Sequence, residues 1–521
     1  MFSLCSDFIN TGCSSAPQAF EANLDLTIVI HMSRSLPNLL STYKREILDI
    51  YKCAIEAVKP ETLIERAISF KDGQFIVREP NDTRTNIDLD RKSLHIIGGG
   101  KSTLAMARGL ASIAVRDKVS HLFSNGCLSI PIDQAMQYDA DKTDELLKLV
   151  KVQCLFGSKN NLPDEDSVRA SKSILTAVSA ACREDMQSGL RPLFIVLLSG
   201  GGSACLTSPR LLSLNEKLHL IKHLAQRGAD IVELNTIRRC FSDMKGGQMA
   251  MHIYRQCSEA QIVTLVLSDI VGDPIEFIAS GPTCLSSGGD LTQRRFELES
   301  ILTKYRYPDK DTLVARFDND PSSQDSENIL RTTIQNKIIG NNLVALDAVI
   351  HRAKAYGYDV HTLGNRIQGQ TQEVLRSILE LTTSRQSSDK HYKTLIIGAG
   401  EATVSKQPEE KWGLGGRAQE MALDYIISRL RSGTIGDDLD LFLAASTDGQ
   451  DGPTDVAACM ASYSEIMGQG EVPFDLDEAC RAKKSHDSYN FWQAHKPNWL
   501  VRSGLTGTNV MDLYMLVKIK E

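Results

Sequence analysis

Two apolar runs in this chain end in glycine-rich turns, and that arrangement constrains the fold more than any other feature. Leu94-His95-Ile96-Ile97 runs into Gly98-Gly99-Gly100-Lys101-Ser102-Thr103, and Phe194–Leu198 runs into Ser199-Gly200-Gly201-Gly202-Ser203-Ala204. Each reads as a buried strand, a tight turn and a helix start. Repeated strand–turn–helix units imply a largely parallel sheet with helices on both faces. Ligands of such sheets bind at the carboxyl ends of the strands, where helix N-termini offer free N–H groups to anions.

A third glycine turn lies in the second half, Trp412-Gly413-Leu414-Gly415-Gly416-Arg417-Ala418-Gln419-Glu420. Beyond it comes an acidic turn, Ser446-Thr447-Asp448-Gly449-Gln450-Asp451-Gly452-Pro453-Thr454-Asp455. Glycine lets a backbone approach a ligand closely, and arginine clamps carboxylates and phosphates. One glycine turn alone is more often a plain connection. Three in one chain, one with a lysine and one with an arginine, point to a site for an anionic substrate. Neither standard phosphate loop is present. A Walker A loop needs glycine six residues before its lysine, where His95 stands, and the dinucleotide fingerprint fails at Thr103.

At 521 residues the chain is too long for one ordinary core. Strand and helix signals alternate through Ile262–Leu267, which runs into Ser268-Asp269, and resume at Lys337–Ile339, Tyr358–Leu363, Lys393–Ile397 and Leu439–Ala445. Helices are expected from Leu39, from Ser102, over Asp164–Cys182 and over Leu214–Arg227. The reading divides the chain into an N-terminal extension over 1–38, an α/β domain over 39–290, a loop-rich connector over 291–335 and a second α/β domain over 336–521. The 384–392 stretch is expected to be a surface loop. The fold class is therefore α/β, with two doubly wound domains, largely parallel or mixed sheets and a cleft between them.

The net charge of −7 argues against a nucleic-acid partner. No apolar run is long enough to span a membrane. Twelve cysteines without a CxxC pair read as reduced thiols. On these features a cytoplasmic location is expected first, with a mitochondrial one close behind. A start at Met32, followed by a basic, serine-rich stretch, is the basis for a mitochondrial form.

The set of turns IIGGGKS, LLSGGGSA, MKGGQMA, LSDIVGDP, ASGPT, IIGNN, GLGGRAQE, STDGQDGPTD and TGTNVMD, in this order, resembles the class II glycerate kinases that carry a MOFRL domain. The resemblance runs from about Tyr43 to the end. It implies transfer of the γ-phosphoryl group of ATP to D-glycerate, with 2-phosphoglycerate the favoured product and Mg²⁺ as the metal. It also implies an active site between the domains. Phosphoryl transfer needs positioning and neutralisation of charge more than covalent chemistry. Lys101 and Arg417 match the family's cations. Asp269 and Asp448 are the candidates for metal binding and proton acceptance. Gly98, Gly99, Gly100, Ser199, Gly200, Gly201, Gly202, Ser203, Lys245 and Asn342 are the candidates for ATP binding. Arg417, Glu420 and Asn509 are the candidates for glycerate binding, with Glu420 orienting Arg417. Plainer roles compete: helix capping for Asp269, turn chemistry for Asp451 and Asp455, and a solvated surface position for Lys245.

Several positions depart from the family pattern. Lys159-Asn160-Asn161-Leu162-Pro163-Asp164 replaces a His-Pro segment, and Ala418, Leu505 and Met511 replace an asparagine, a proline and a polar residue. Other readings are an NAD(P)H-dependent hydroxypyruvate reductase and a non-catalytic metabolite-binding protein. The sequence leaves the oligomeric state, monomer or homo-oligomer, open.

Overall fold

Strands whose residues are apolar on both faces must be covered on both faces, and the two glycine-ended runs meet that requirement at the centre of a sheet. The computed structural model describes residues 26–135, 140–285, 291–320, 333–384, 391–404, 412–432, 438–468 and 474–520. Strands β1 (Ile68–Lys71), β2 (Gln74–Arg78) and β3 (Arg84–Asp88) form a small antiparallel sheet. Its first turn is Asp72-Gly73, with both residues at positive φ, as a two-residue hairpin requires.

The first large sheet contains β4 (Lys92–Gly99), β5 (Phe123–Pro131), β6 (Val152–Gly157), β7 (Arg191–Leu198), β8 (Gln261–Leu267) and β9 (Ile334–Gly340). All are parallel, in the order β6-β5-β4-β7-β8-β9. The order reverses between β4 and β7, which makes their carboxyl ends a topological switch point. The two glycine turns lie there side by side.

The second large sheet is mixed. It contains β10 (Asp359–Gln370), β11 (Tyr392–Thr403), β12 (Leu439–Ser446), β13 (Ala458–Ala461), β14 (Leu500–Val501) and β15 (Asp512–Lys520), in the order β10-β11-β15-β12-β13-β14. Only β10 and β11 pair in parallel. The last strand of the chain enters the middle and runs antiparallel to both β11 and β12. The expected α/β class, with parallel and mixed sheets, is the one observed.

Three features differ from the sequence reading. Helix α1 (Leu26–Ala57) begins inside the supposed extension, and Met32 lies on it. Its stripe of Ile47, Ile50, Tyr51 and Ala54 is buried, but it serves the second domain. Lys44 pairs with Glu465 at 2.5 Å, Asp49 with Arg352 at 2.7 Å and Glu46 with Lys393 at 2.7 Å. The first domain therefore starts after Val58, at helix α2 (Pro60–Ala67). The connector over 291–335 carries the helices Leu291–Lys304 and Lys310–Asp318, which share a core with Leu220, Leu224, Ile237 and Phe241. Finally, β9 belongs to the first sheet, so the chain crosses between domains at Val58–Pro60 and again just after Gly340. Of the expected loop over 384–392, residues 385–390 lie outside the described residues. A continuous apolar cluster runs from α1 through both sheets.

Candidate active site

The walls of the site are set by how closely backbone can pass backbone. Gly98 and Gly100 adopt φ of 149° and 143°, which side chains rarely tolerate. A methyl group on Gly98 would collide with the Leu197 carbonyl, and one on Gly100 would lie 2.5 Å from Ser199 Oγ. The turns after β4 and β7 are then stitched together. Lys101 N donates to Gly200 O at 2.9 Å, and Ser102 N donates to Ser199 Oγ at 2.9 Å. Lys101 opens the turn into helix α3 (Thr103–Arg116).

Gly200 and Gly201 carry the next layer. A methyl on Gly200 would strike the Asp269 carboxylate. One on Gly201 would lie 3.1 Å from Lys101 Cγ and 3.2 Å from Asn161 Oδ1. Asp269, Lys101 and Asn161 thus ring one two-glycine step. Burial pushes the Asp269 carboxyl up to about 6; Lys101 pulls it down, and Glu401 of the second domain pushes it further up. No helix begins after Asp269, because β8 is followed by an irregular turn as far as Ile278. The helix-capping alternative for Asp269 is therefore ruled out.

On the opposite wall, Arg417 opens the helix Arg417–Ser432. Its Nε and Nη2 donate to the two oxygens of Asp512, at 2.5 and 3.0 Å, and its Nη1 donates to Glu401 Oε1 at 2.7 Å. Asp512 is 1% exposed, Glu401 43% and Arg417 31%. Burial raises the Asp512 carboxyl to about 6 against the downward pull of Arg417. The bidentate guanidinium keeps it ionised at neutral pH. The two walls also touch directly, where Ser102 Oγ donates to Gly507 O at 3.2 Å.

The glycines before Arg417 have a different purpose from the expected ligand approach. Methyls on Gly413, Gly415 and Gly416 would collide with Asp487, Ser488 and Asp451, so parts of this same chain lie against them. Leu414 N donates to Asp487 Oδ1 at 2.7 Å, and Gly413 N donates to Ser485 O at 2.8 Å. Asp451 caps the helix by accepting from Ala418 N at 3.0 Å, Gln419 N at 2.9 Å and Gln419 Nε2 at 2.9 Å. The whole loop is a clamp that aims Arg417.

A domain of unknown function, DUF4147, matches residues 46–313, and the MOFRL family matches residues 394–512. Human glycerate kinase is 33% identical over 517 aligned residues, covering 90% of this chain and 91% of that one. The chain belongs to the glycerate kinase family. The crystal structure of a glycerate kinase from Thermotoga maritima superposes with a TM-score of 0.66 at 25% identity, over 92% of this chain and 99% of that one. A Pyrococcus horikoshii protein shares the fold, with a TM-score of 0.67 at 23% identity over 91% and 98% of the two chains. A D-glycerate 2-kinase from Thermotoga maritima is 28% identical, covering 90% of this chain and 97% of that one.

As a glycerate kinase relative, the chain brings together Lys101, Asp269 and the turns at 98–103 and 199–203, while Arg417 is held on the second domain by Asp512 and Glu401. The other expected residues have hydrogen-bond partners of their own. Glu420 does not orient Arg417: its carboxylate meets His486 Nδ1 at 2.7 Å. Lys245 is neither solvated nor open to a phosphate. It is buried, with Nζ donating to Ser203 O and, at 2.8 Å, to Ser203 Oγ. Burial holds that amine well below the usual lysine range, helped by Lys217 and Arg238. Asn342 is buried, and its amide exchanges hydrogen bonds with Asn365 at 2.8 and 3.2 Å. Asn509 Oδ1 accepts from Met511 N at 2.9 Å within its own turn. Asp448 Oδ1 accepts from Ser446 Oγ at 2.7 Å and Gln450 N at 2.9 Å. Asp455 forms an ion pair with Arg502 on the surface.

The sequence reading missed Glu401, Asp512 and Asn161. Glu401 had a signal: Ile396-Ile397-Gly398-Ala399-Gly400-Glu401 is another apolar run ending in glycines. Asp512 closes the TGTNVMD turn and Asn161 lies in the altered 159–164 segment, but only the pairing of distant segments shows that they reach Arg417 and Lys101.

Proposed function

We propose that this chain transfers the γ-phosphoryl group of ATP to a hydroxyl of D-glycerate, with 2-phosphoglycerate as the product. One observation carries the reading: Lys101 lies beside Asp269 on one domain, and Glu401, which holds Arg417 on the other, acts on that same carboxyl. Electrostatic coupling of Asp269 to both Lys101 and Glu401 supports this proximity. Arg417 would hold the glycerate carboxylate, since a planar fork suits that group better than a point charge. Lys101 would meet the phosphate being transferred. The substrate hydroxyl oxygen bonds to the γ-phosphorus, the bond to the β,γ-bridging oxygen breaks, and ADP leaves. Asp448 is the candidate to accept the hydroxyl proton.

Mg²⁺ generally takes one or two carboxylates and completes its shell with water and phosphate oxygens. The residues present fit that pattern. The raised Asp269 carboxyl is a part-buried anion that a nearby cation would stabilise. Asp269 would therefore hold the ion, which supplies neutralisation of phosphate charge. Among the described residues, no group of three or more His, Cys, Asp or Glu forms a metal cage of its own. The position of phosphorylation is supported by the name of the Thermotoga relative, a D-glycerate 2-kinase. Phosphorus NMR of the product made from D-glycerate and ATP tests activity and position together. A 3-phosphoglycerate resonance would overturn the position, and no product the activity. NADH-dependent reduction of hydroxypyruvate by the same sample would return the reductase reading.

A further inference from the structure

Arg417 already carries two carboxylates, and the two are not equivalent. Asp512 takes Nε and Nη2 in a bidentate pair and is almost wholly buried. Removing its partner would leave an uncompensated buried charge, which is strongly destabilising. Glu401 takes only Nη1, through one oxygen, and is 43% exposed. It sits at the carboxyl end of β11, where its own charge also acts on Asp269 across the cleft.

We infer that Glu401 is a placeholder for the substrate carboxylate: glycerate binds by displacing Glu401 from Nη1 of Arg417 while Asp512 stays in place. The inference rests on the reading that Arg417 binds the glycerate carboxylate. The exchange swaps one carboxylate for another on the same donor, so the guanidinium is never left bare. An incoming ligand must outcompete a tethered carboxylate, and an anion that cannot reach Nη1 gains nothing. Glu401 thereby sets both the affinity for glycerate and the preference for ligands with a carboxylate. Release of its charge from Arg417 needs no covalent step.

Partly exposed ion pairs are worth less than one decade in an equilibrium constant. Loss of the competitor should therefore lower KM for glycerate about two- to fivefold in Glu401→Gln and Glu401→Ala, with a smaller change in KM for ATP. Arg417→Ala is measured alongside and should raise KM for glycerate at least about tenfold. In the Arg417→Ala background, Glu401→Gln should no longer lower it. An unchanged or raised KM for glycerate in both Glu401 variants overturns the placeholder. So does an equal gain with and without Arg417, which would mark general repulsion rather than competition. If Arg417→Ala leaves KM for glycerate unchanged, the fault lies with the assignment of Arg417 itself, and the two failures are distinguishable. Circular dichroism of each variant establishes that it is folded.

Discussion

Asp269→Asn should make the protein more stable and less active at once. The Asp269 carboxyl is raised from an unfolded value near 3.8 to about 6. That is about two units, or roughly 3 kcal/mol if fully realised. Because the residue is only part-buried, water screens the charge, and about 1–2 kcal/mol is the better expectation. The sign follows from proton binding. Below about pH 4 the group is protonated in both states and there is no penalty. As pH rises through 4 to 6 the unfolded chain loses its proton first, so folding stability falls, and above about 6 the full penalty is present. Asparagine has the same shape and no such penalty. Urea denaturation at pH 7.5 should therefore place Asp269→Asn about 1–2 kcal/mol above the parent, and the gap should narrow to about half at pH 5. Turnover should fall in the same variant, with a weaker apparent affinity for Mg²⁺. A variant no more stable than the parent at pH 7.5, or a gap that does not narrow at pH 5, would refute the reasoning about burial. Unaltered Mg²⁺ dependence and rate would transfer the metal role to Asp448.

Lys101→Ala should lower kcat on the order of a hundredfold, as for loss of a charge-stabilising donor, with little change in urea midpoint. Near-normal turnover would remove Lys101 from the chemistry. Arg417→Lys should raise KM for glycerate markedly and leave KM for ATP within about twofold, since an ammonium cannot serve Asp512 and a substrate in the same fork. Steady-state kinetics with each substrate varied checks this. Asp451→Ala should cost about 2 kcal/mol in urea denaturation, because it strips the cap from the helix Arg417–Ser432. Gly416→Ala should be comparably disruptive, since its methyl would meet the Asp451 carboxylate.

Local pattern was enough for the strands and helices whose physics is local. β4, β7 and β8 are continuous apolar runs that only a sheet covered on both faces can accommodate, and their ends marked the first wall of the site. The buried stripe of α1 was equally plain. Asp72-Gly73, a strong hairpin signal, was available and went unread. What periodicity cannot contain is a partner. The stripe of α1 shows that it is covered but not by which domain. The glycines at 413, 415 and 416 show that something comes close but not that it is Asp487, Ser488 and Asp451.

The same limit governs charge. Glu401, Glu420 and Asp512 lie 16, 3 and 95 residues from Arg417, and the nearest in sequence is the one that turns away to His486. Asp512 reaches Arg417 because the last strand inserts between β11 and β12. Hydrophobic spacing determined that this chain makes two α/β layers with glycine-edged strand ends. Tertiary structure alone decided which carboxylates face the arginine, because such a contact depends on strand order and side-chain direction across the fold. Neither is encoded in any window of neighbouring residues.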